Sequence, residues 1–190
     1  MKKGKVGLNS NLLETARKST KSWLLLTKEH STLQHGGSDG YADELGHSYA
    51  YDSTVANHGQ LEVGDCIVLW NGSVILGISR VDRISTSLGS KSRNRCPKCG
   101  STKIKPRKTI LPIFRCQHLS CGFEFDEPIR ENLEVTRYVA QYSESWCYYK
   151  EESTSRTIRG LAKSPQSIQS MRELNHLKLI NFLERHSSNE

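Results

Sequence analysis

Six cysteines stand in a chain of 190 residues, and four of them are spaced to hold a metal ion. Cys96-Pro97-Lys98-Cys99-Gly100 is a CxxCG knuckle, and Cys116 and Cys121 form a second pair after a gap of 16 residues. A tetrahedral zinc ion takes four ligands, and two short cysteine pairs on turns supply two each. Glycine after the second cysteine lets each turn close with its amides toward sulfur, and Cys121-Gly122 repeats the ending of the first pair. His118, inside the second pair, is a competing ligand. The expectation is one structural Zn2+ on Cys96, Cys99, Cys116 and Cys121, against the plainer reading of four buried thiols. A catalytic zinc would need an open coordination position and a nearby general base. No Asp or Glu lies within residues 83–123 to provide that base. Cys66, in an apolar run, and Cys147, beside Trp146, read as packing residues.

Charge is segregated along the chain. The net charge is +7, but residues 83–123 carry ten Lys or Arg and no carboxylate, whereas residues 29–82 carry one Arg and eight Asp or Glu. Lys91, Arg93, Arg95, Lys98, Lys103, Lys105, Arg107, Lys108 and Arg115 would create a field that attracts a polyanion, nucleic acid foremost. A solvated basic loop is the alternative; the overlap with the cysteine pairs favours nucleic acid.

A third cluster is aromatic. Tyr49 and Tyr51 alternate along an extended segment and so face one side. Asp52 and Asn57 follow closely, and two tryptophans, Trp23 and Trp70, stand in apolar runs. An unstacked base needs π-faces around it and polar groups at its edge. The alternative is that the tyrosines pack on a sheet while Asp52 and Asn57 cap turns.

The elements that must position these groups follow from the apolar pattern. Residues 1–21 are polar and basic and read as an N-terminal arm with at most a helical turn. Trp23–Leu26 reads as a buried strand, and residues 34–60 as loop. Cys66–Trp70, Asn71-Gly72 and a return strand from Ser73 to about Ile84 read as a hairpin, with Gly77 marking a bulge or a close approach. Leu133–Tyr142 reads as a further strand. Ser164-Pro165 suggests the start of a helix carrying Ile168, Met171, Leu174, Leu177, Ile180 and Leu183 and ending near Arg185. Residues 95–125 then form a zinc ribbon inserted in a β-rich domain spanning 22–142, with 143–190 as linker and C-terminal helix. At 35% hydrophobic residues the core is thin, and no apolar run is long enough to span a bilayer. The basic start lacks an apolar signal region, which points to the cytoplasm.

The order of three segments resembles the PUA-like superfamily, which includes the SRA, EVE, ASCH and YTH domains. These segments are Tyr51–His58, Val63-Gly64-Asp65-Cys66-Ile67-Val68-Leu69, and Ile75–Ile84 with its Leu76-Gly77-Ile78 core. More narrowly, they resemble the N-terminal readers of bacterial HNH-type modification-dependent restriction endonucleases, which carry a zinc ribbon after the central hairpin. The resemblance covers about residues 22–142. It implies an α+β fold: a PUA-like curved β-barrel with flanking helices and an inserted zinc ribbon. It also implies a partner, double-stranded DNA carrying a methylated or hydroxymethylated cytosine that is flipped into an aromatic pocket. Tyr49 and Tyr51 would then stack on the base, Asp52 and Asn57 would read its edge, and Trp23 or Trp70 would form a wall. His176, Asn181 and His186 imitate an HNH order but fall on one predicted helix, so any nuclease would be fused or associated. The rival readings are an RNA-binding module and a metal-dependent nuclease using His47, His58 and Asp52.

Overall fold

The two apolar runs pair in parallel. Trp23 lies beside Ile67 and Leu25 beside Leu69 as β1 (Ser22–Leu26) meets the later run Cys66–Trp70. Because successive side chains point to opposite faces, Trp23, Leu25, Ile67 and Leu69 enter one core cluster, and Leu24, Val68 and Trp70 another. A strand covered on both faces reads as an unbroken apolar run. In this computed structural model residues 6–27, 41–149 and 154–187 are described. The glycine-rich stretch at 36–40 lies outside them.

In chain order the elements are α1 (Val6–Arg17), β1, β2 (Ser48–Asp52), β3 (Cys66–Trp70), β4 (Ile75–Arg80) and β5 (Arg83–Arg95). They continue as β6 (Ile104–Pro106), β7 (Phe114–Cys116), β8 (Glu124–Phe125), β9 (Ile129–Gln141), β10 (Cys147–Tyr148), α2 (Ser155–Gly160), β11 (Met171–Glu173) and α3 (His176–Ser187). The strands form three sheets, ordered β10-β4-β3-β1-β11, β2-β9-β5 and β6-β7-β8. The chain is therefore a mixed α and β protein, as expected. None of the sheets closes into the expected barrel, because the short strands β10 and β11 end the five-stranded sheet at opposite edges.

The chain divides into two compact units, one of residues 1–28, 42–87 and 137–190, the other of 29–41 and 88–136. In the first unit, Leu12 and Ala16 of α1 and Leu179 and Leu183 of α3 are buried with Leu24, Val68 and Trp70 on one face of the five-stranded sheet. The other face buries Trp23, Ile67 and Leu69 with Tyr49, Tyr51, Tyr142 and Met171. β2 pairs antiparallel with the end of β9, Tyr51 opposite Tyr138.

Four expectations change. Residues 6–17 form a helix with a buried face and are not an arm. The β3–β4 connection has four residues rather than two: Asn71 Oδ1 accepts from the amides of Ser73 and Val74, and Gly72 takes a φ of +101°. The return strand ends at Arg80, and β5 begins at Arg83. The last helix starts at His176, where Asn175 Oδ1 accepts the Lys178 amide as an N-cap, while Ile168 is 90% exposed. Met171–Glu173, read as helix, instead pairs with the outer edge of β1. A buried strand edge must satisfy its backbone groups, and that demand overrides a helical apolar period.

Gly77 meets its expectation of a close approach. A Cβ placed there would lie 2.3 Å from the Trp146 ring and 2.7 Å from the Cys147 carbonyl.

Candidate metal centre and basic ribbon

The second unit contains the ribbon. β6 pairs with β7 and β7 with β8, and the ribbon's small core is a cluster of Cys96, Ile104, Cys116 and Phe125, with Phe114 and Cys121 packed against them. So little apolar burial leaves a fold in need of another source of stability.

That source is built from two knuckles. The Cys96 amide donates to Ser101 and the Gly100 amide returns to the Cys96 carbonyl, with Gly100 at a φ of +71°. In the second knuckle the Cys121 amide donates to His118, the Cys116 amide to Phe123, and Gly122 takes a φ of +57°. Both glycines occupy the left-handed region that the Cys-Gly endings required. The four sulfurs lie within 4.8 Å of one another. Cys96 and Cys121 are 3.9 Å apart, and Cys99 and Cys116 3.6 Å. A regular tetrahedron with metal–sulfur bonds of about 2.3 Å has edges of about 3.8 Å, whereas a disulfide would need about 2.05 Å. These four residues are close enough together to hold a metal ion. His118 is exposed and its Nδ1 faces Ser120 Oγ at 3.0 Å, outside the cluster.

The thiols' acidities diverge. Burial works to raise Cys96, yet the amides of Cys99 and Lys98 together with neighbouring thiols bring it down to about 7. Burial pushes Cys116 up to about 12, and Cys99 is also raised by burial and by its neighbouring thiols against a backbone bond from Ser101. Thiols this close cannot all ionise together, and a dication reverses that by stabilising every thiolate at once.

The basic residues fall into two groups. Arg95 donates from Nε to Glu131 at 2.7 Å and from Nη1 to the Gly100 carbonyl. Arg107 grips Glu124 with both terminal nitrogens, at 2.7 and 2.9 Å, and also donates to the Pro112 carbonyl. Its guanidinium holds the Glu124 carboxyl below the usual range. Arg95 and Arg107, expected as phosphate ligands, are thus engaged with carboxylates of the same unit. The segment is carboxylate-free in sequence, but Glu124 and Glu131 lie just past it and fold back onto it. Lys91 donates to the Tyr41 hydroxyl, and Lys98 sits 5.6 Å from the Phe123 ring. Lys103, Lys105, Lys108 and Arg115 are exposed, and Arg93 is half-buried. Lys105 and Arg115 stand directly opposite each other across the β6–β7 pair, with Glu124 3.9 Å from Arg115 on the far side. Like charges facing across a ladder repel unless an anion joins them.

The aromatic candidates lie in the first unit. Tyr49 and Tyr51 are 3% and 1% exposed, and Tyr51 stacks on Tyr138 with centroids 4.9 Å apart. Trp23 shares their cluster and donates to Asp65 at 2.8 Å, whereas Trp70 points to the opposite face of the sheet. Of the two, offered as alternatives for a wall, Trp23 lies on the face of the tyrosines and Trp70 on the other, because they sit at positions of opposite parity on neighbouring strands. Asp52 accepts from the Thr54 amide and hydroxyl. Asn57, at a φ of +69°, donates to the Met171 carbonyl at 3.0 Å. The tyrosines therefore pack, Asp52 holds its own turn, and Asn57 ties its loop to β11. His47, His58 and Asp52 form no metal-binding group: among the described residues the four cysteines are the one such cluster of His, Cys, Asp or Glu. His176 and His186 occupy α3, where they face Ser22 and the Phe182 carbonyl. Cys66 is fully buried and raised to about 12 by burial, as suits a packing residue.

Sequence reasoning missed Arg159 and Arg172, whose guanidiniums lie 5.6 and 5.3 Å from the Trp70 ring. No spacing signals this, because two residues thirteen apart meet only through tertiary structure. No helix of the described residues is long and apolar enough to cross a membrane. No family model matches the chain, no curated protein matches its sequence and no solved structure matches its fold.

Proposed function

We propose that this protein binds nucleic acid, DNA in the first place, through a ribbon held together by a structural zinc ion. The observation that carries this reading is the pairing of Lys105 with Arg115 across β6 and β7, on the small unit built around four cysteines. Lys103 and Lys108 add exposed charge to the same ribbon. Four cysteines are the ligand set of structural zinc, which leaves no open position for catalysis. Zinc would close both knuckles and hold β6–β8 in register, and the lysines would take phosphate oxygens. Such contacts fix position on a duplex without reading its sequence.

The resemblance to PUA-like readers adds the finer proposal of a modified cytosine as the feature recognised. With Tyr49 and Tyr51 packed in the core, a flipped base would have to displace that packing, so the phosphate grip is the better supported part. Equilibrium binding to unmodified, 5-methylcytosine and 5-hydroxymethylcytosine duplexes and to a structured RNA tests both levels. Salt-dependent binding to all three duplexes supports the phosphate grip, and a preference for a modified duplex supports the finer reading. Tighter binding to the RNA than to every duplex would replace DNA with RNA. Absence of salt-dependent binding to any of them would remove the proposal.

A further inference from the structure

Among the described residues Arg172 is the most deeply buried cation of the first unit. It stands in the middle of β11 opposite Leu24 and is 4% exposed. Its Nε donates to the Gln169 carbonyl at 2.7 Å, and its guanidinium stacks near Trp70. Its Nη1 is buried and donates to nothing. Arg159, exposed at the end of α2, approaches the same indole. Among the described residues no carboxylate is paired with either arginine. Burial first, and Arg159 second, make the charge on Arg172 costly. Arginine does not shed its proton in proteins; the Gln169 carbonyl and the Trp70 face offset part of that cost, and a counter-anion would offset more.

A cleft of about 270 Å³ opens beside Arg172. The residues that line it are of polar types, including Asn57, Lys163, Ser164, Ser167 and Gln169, with their carbon stems making part of the wall. Glu173 also lines it, with Lys163 Nζ holding its carboxylate at 2.6 Å. The volume falls just below the roughly 300–1,000 Å³ of ordinary small-molecule sites, which suits a small ligand or one group of a larger one. Trp70 and the Gln169 carbonyl fix the guanidinium plane in advance, so little side-chain freedom is lost when an anion arrives.

We propose that this cleft is a phosphate-binding site with Arg172 as its principal donor. The guanidinium donates to the anion, and Ser164 and Ser167, which also line the cleft, carry hydroxyls that can donate. A tetrahedral phosphate offers more acceptors than a carboxylate and matches this number of donors better. Arg159 strengthens the local positive field. The site owes nothing to the ribbon, and it stands or falls separately from the reading of the ribbon given above.

The test uses the full zinc-loaded chain, with thermal unfolding followed against inorganic phosphate and against chloride at matched ionic strength. A ligand that binds only the folded state raises Tm in a saturable way. Adenosine 5′-monophosphate and adenosine form the second arm. Saturable stabilisation by phosphate and by the nucleotide, with none by the nucleoside, is the expected result. A tighter response to the nucleotide assigns the phosphate to a nucleotide, and an equal response assigns it to the free ion. Arg172→Lys should weaken the apparent affinity at least about tenfold, since a point charge replaces a fork. Arg159→Gln, at an exposed position, should weaken it several-fold. No saturable response in the wild-type chain, or an equal response in both variants, overturns the proposal.

Discussion

The division of the ribbon's cations into committed and available groups has a measurable consequence in salt. Each lysine or arginine that neutralises a DNA phosphate releases counterions, contributing about 0.9 to the slope of log K against log salt. Lys103, Lys105 and Lys108 are exposed and no carboxylate pairs with them among the described residues. Replacing all three by Gln should therefore flatten the slope by about 2.7 if each touches phosphate. Between about 50 and 200 mM salt that is a loss of about 40-fold from the span of affinities. Arg107 behaves in the opposite way, because its guanidinium is spent on Glu124 and the Pro112 carbonyl. The charge-neutral double substitution Arg107→Gln with Glu124→Gln should leave the slope unchanged, or steepen it, since Arg115 then loses its carboxylate neighbour. Fluorescence anisotropy of a labelled duplex, titrated at several KCl concentrations, measures all three proteins, with metal content checked in each. A triple variant with the wild-type slope would refute the argument. So would a double variant whose slope falls by about one unit while its metal is retained.

Three further outcomes follow from the packing. Elemental analysis should find one zinc per chain, and Cys99→Ser should lose it together with the protection of β6–β8 in hydrogen exchange, while the strands β1, β3 and β4 stay protected. Gly77→Ala should destabilise the first unit by about 1–3 kcal/mol in urea unfolding, because the new methyl meets the Trp146 ring at 2.3 Å; an unchanged midpoint would contradict the close approach. Tyr51→Phe removes a buried hydroxyl that has no partner and should stabilise the fold or leave it unchanged. The same phenol is pushed up to about 12 by burial and by Tyr138, against about 10 in an unfolded chain. Its contribution is thus intact below pH 10 and is lost as pH rises through 12, so Tyr51→Phe should lessen the fall of Tm above pH 10.

The local chemistry was legible in the residues because it depends on short spacing. Two Cys-Gly knuckles specify a four-sulfur cluster wherever the rest of the chain goes, since each turn builds its own half of the tetrahedron. The parity of Trp23–Leu26 and Cys66–Trp70 likewise commits each side chain to one face of a buried strand. The close approach at Gly77 was readable too, though its occupant, Trp146, was not.

Long-range partners were not readable, and they decided the rest. Tyr49 and Tyr51 shared a face as their spacing required, but only the pairing of β2 with β9 made that face a core. Arg95 and Arg107 looked available until Glu131 and Glu124 folded onto them. Met171–Glu173 had a helical period and became a strand, because the edge of β1 needed hydrogen bonds. That same strand carried Arg172 to Trp70 and beside a polar cleft. By itself the sequence determined which atoms could bind a metal and which side chains share a face. Tertiary structure decided which charges stay available to a ligand, because neutralisation and burial depend on residues that are distant along the chain.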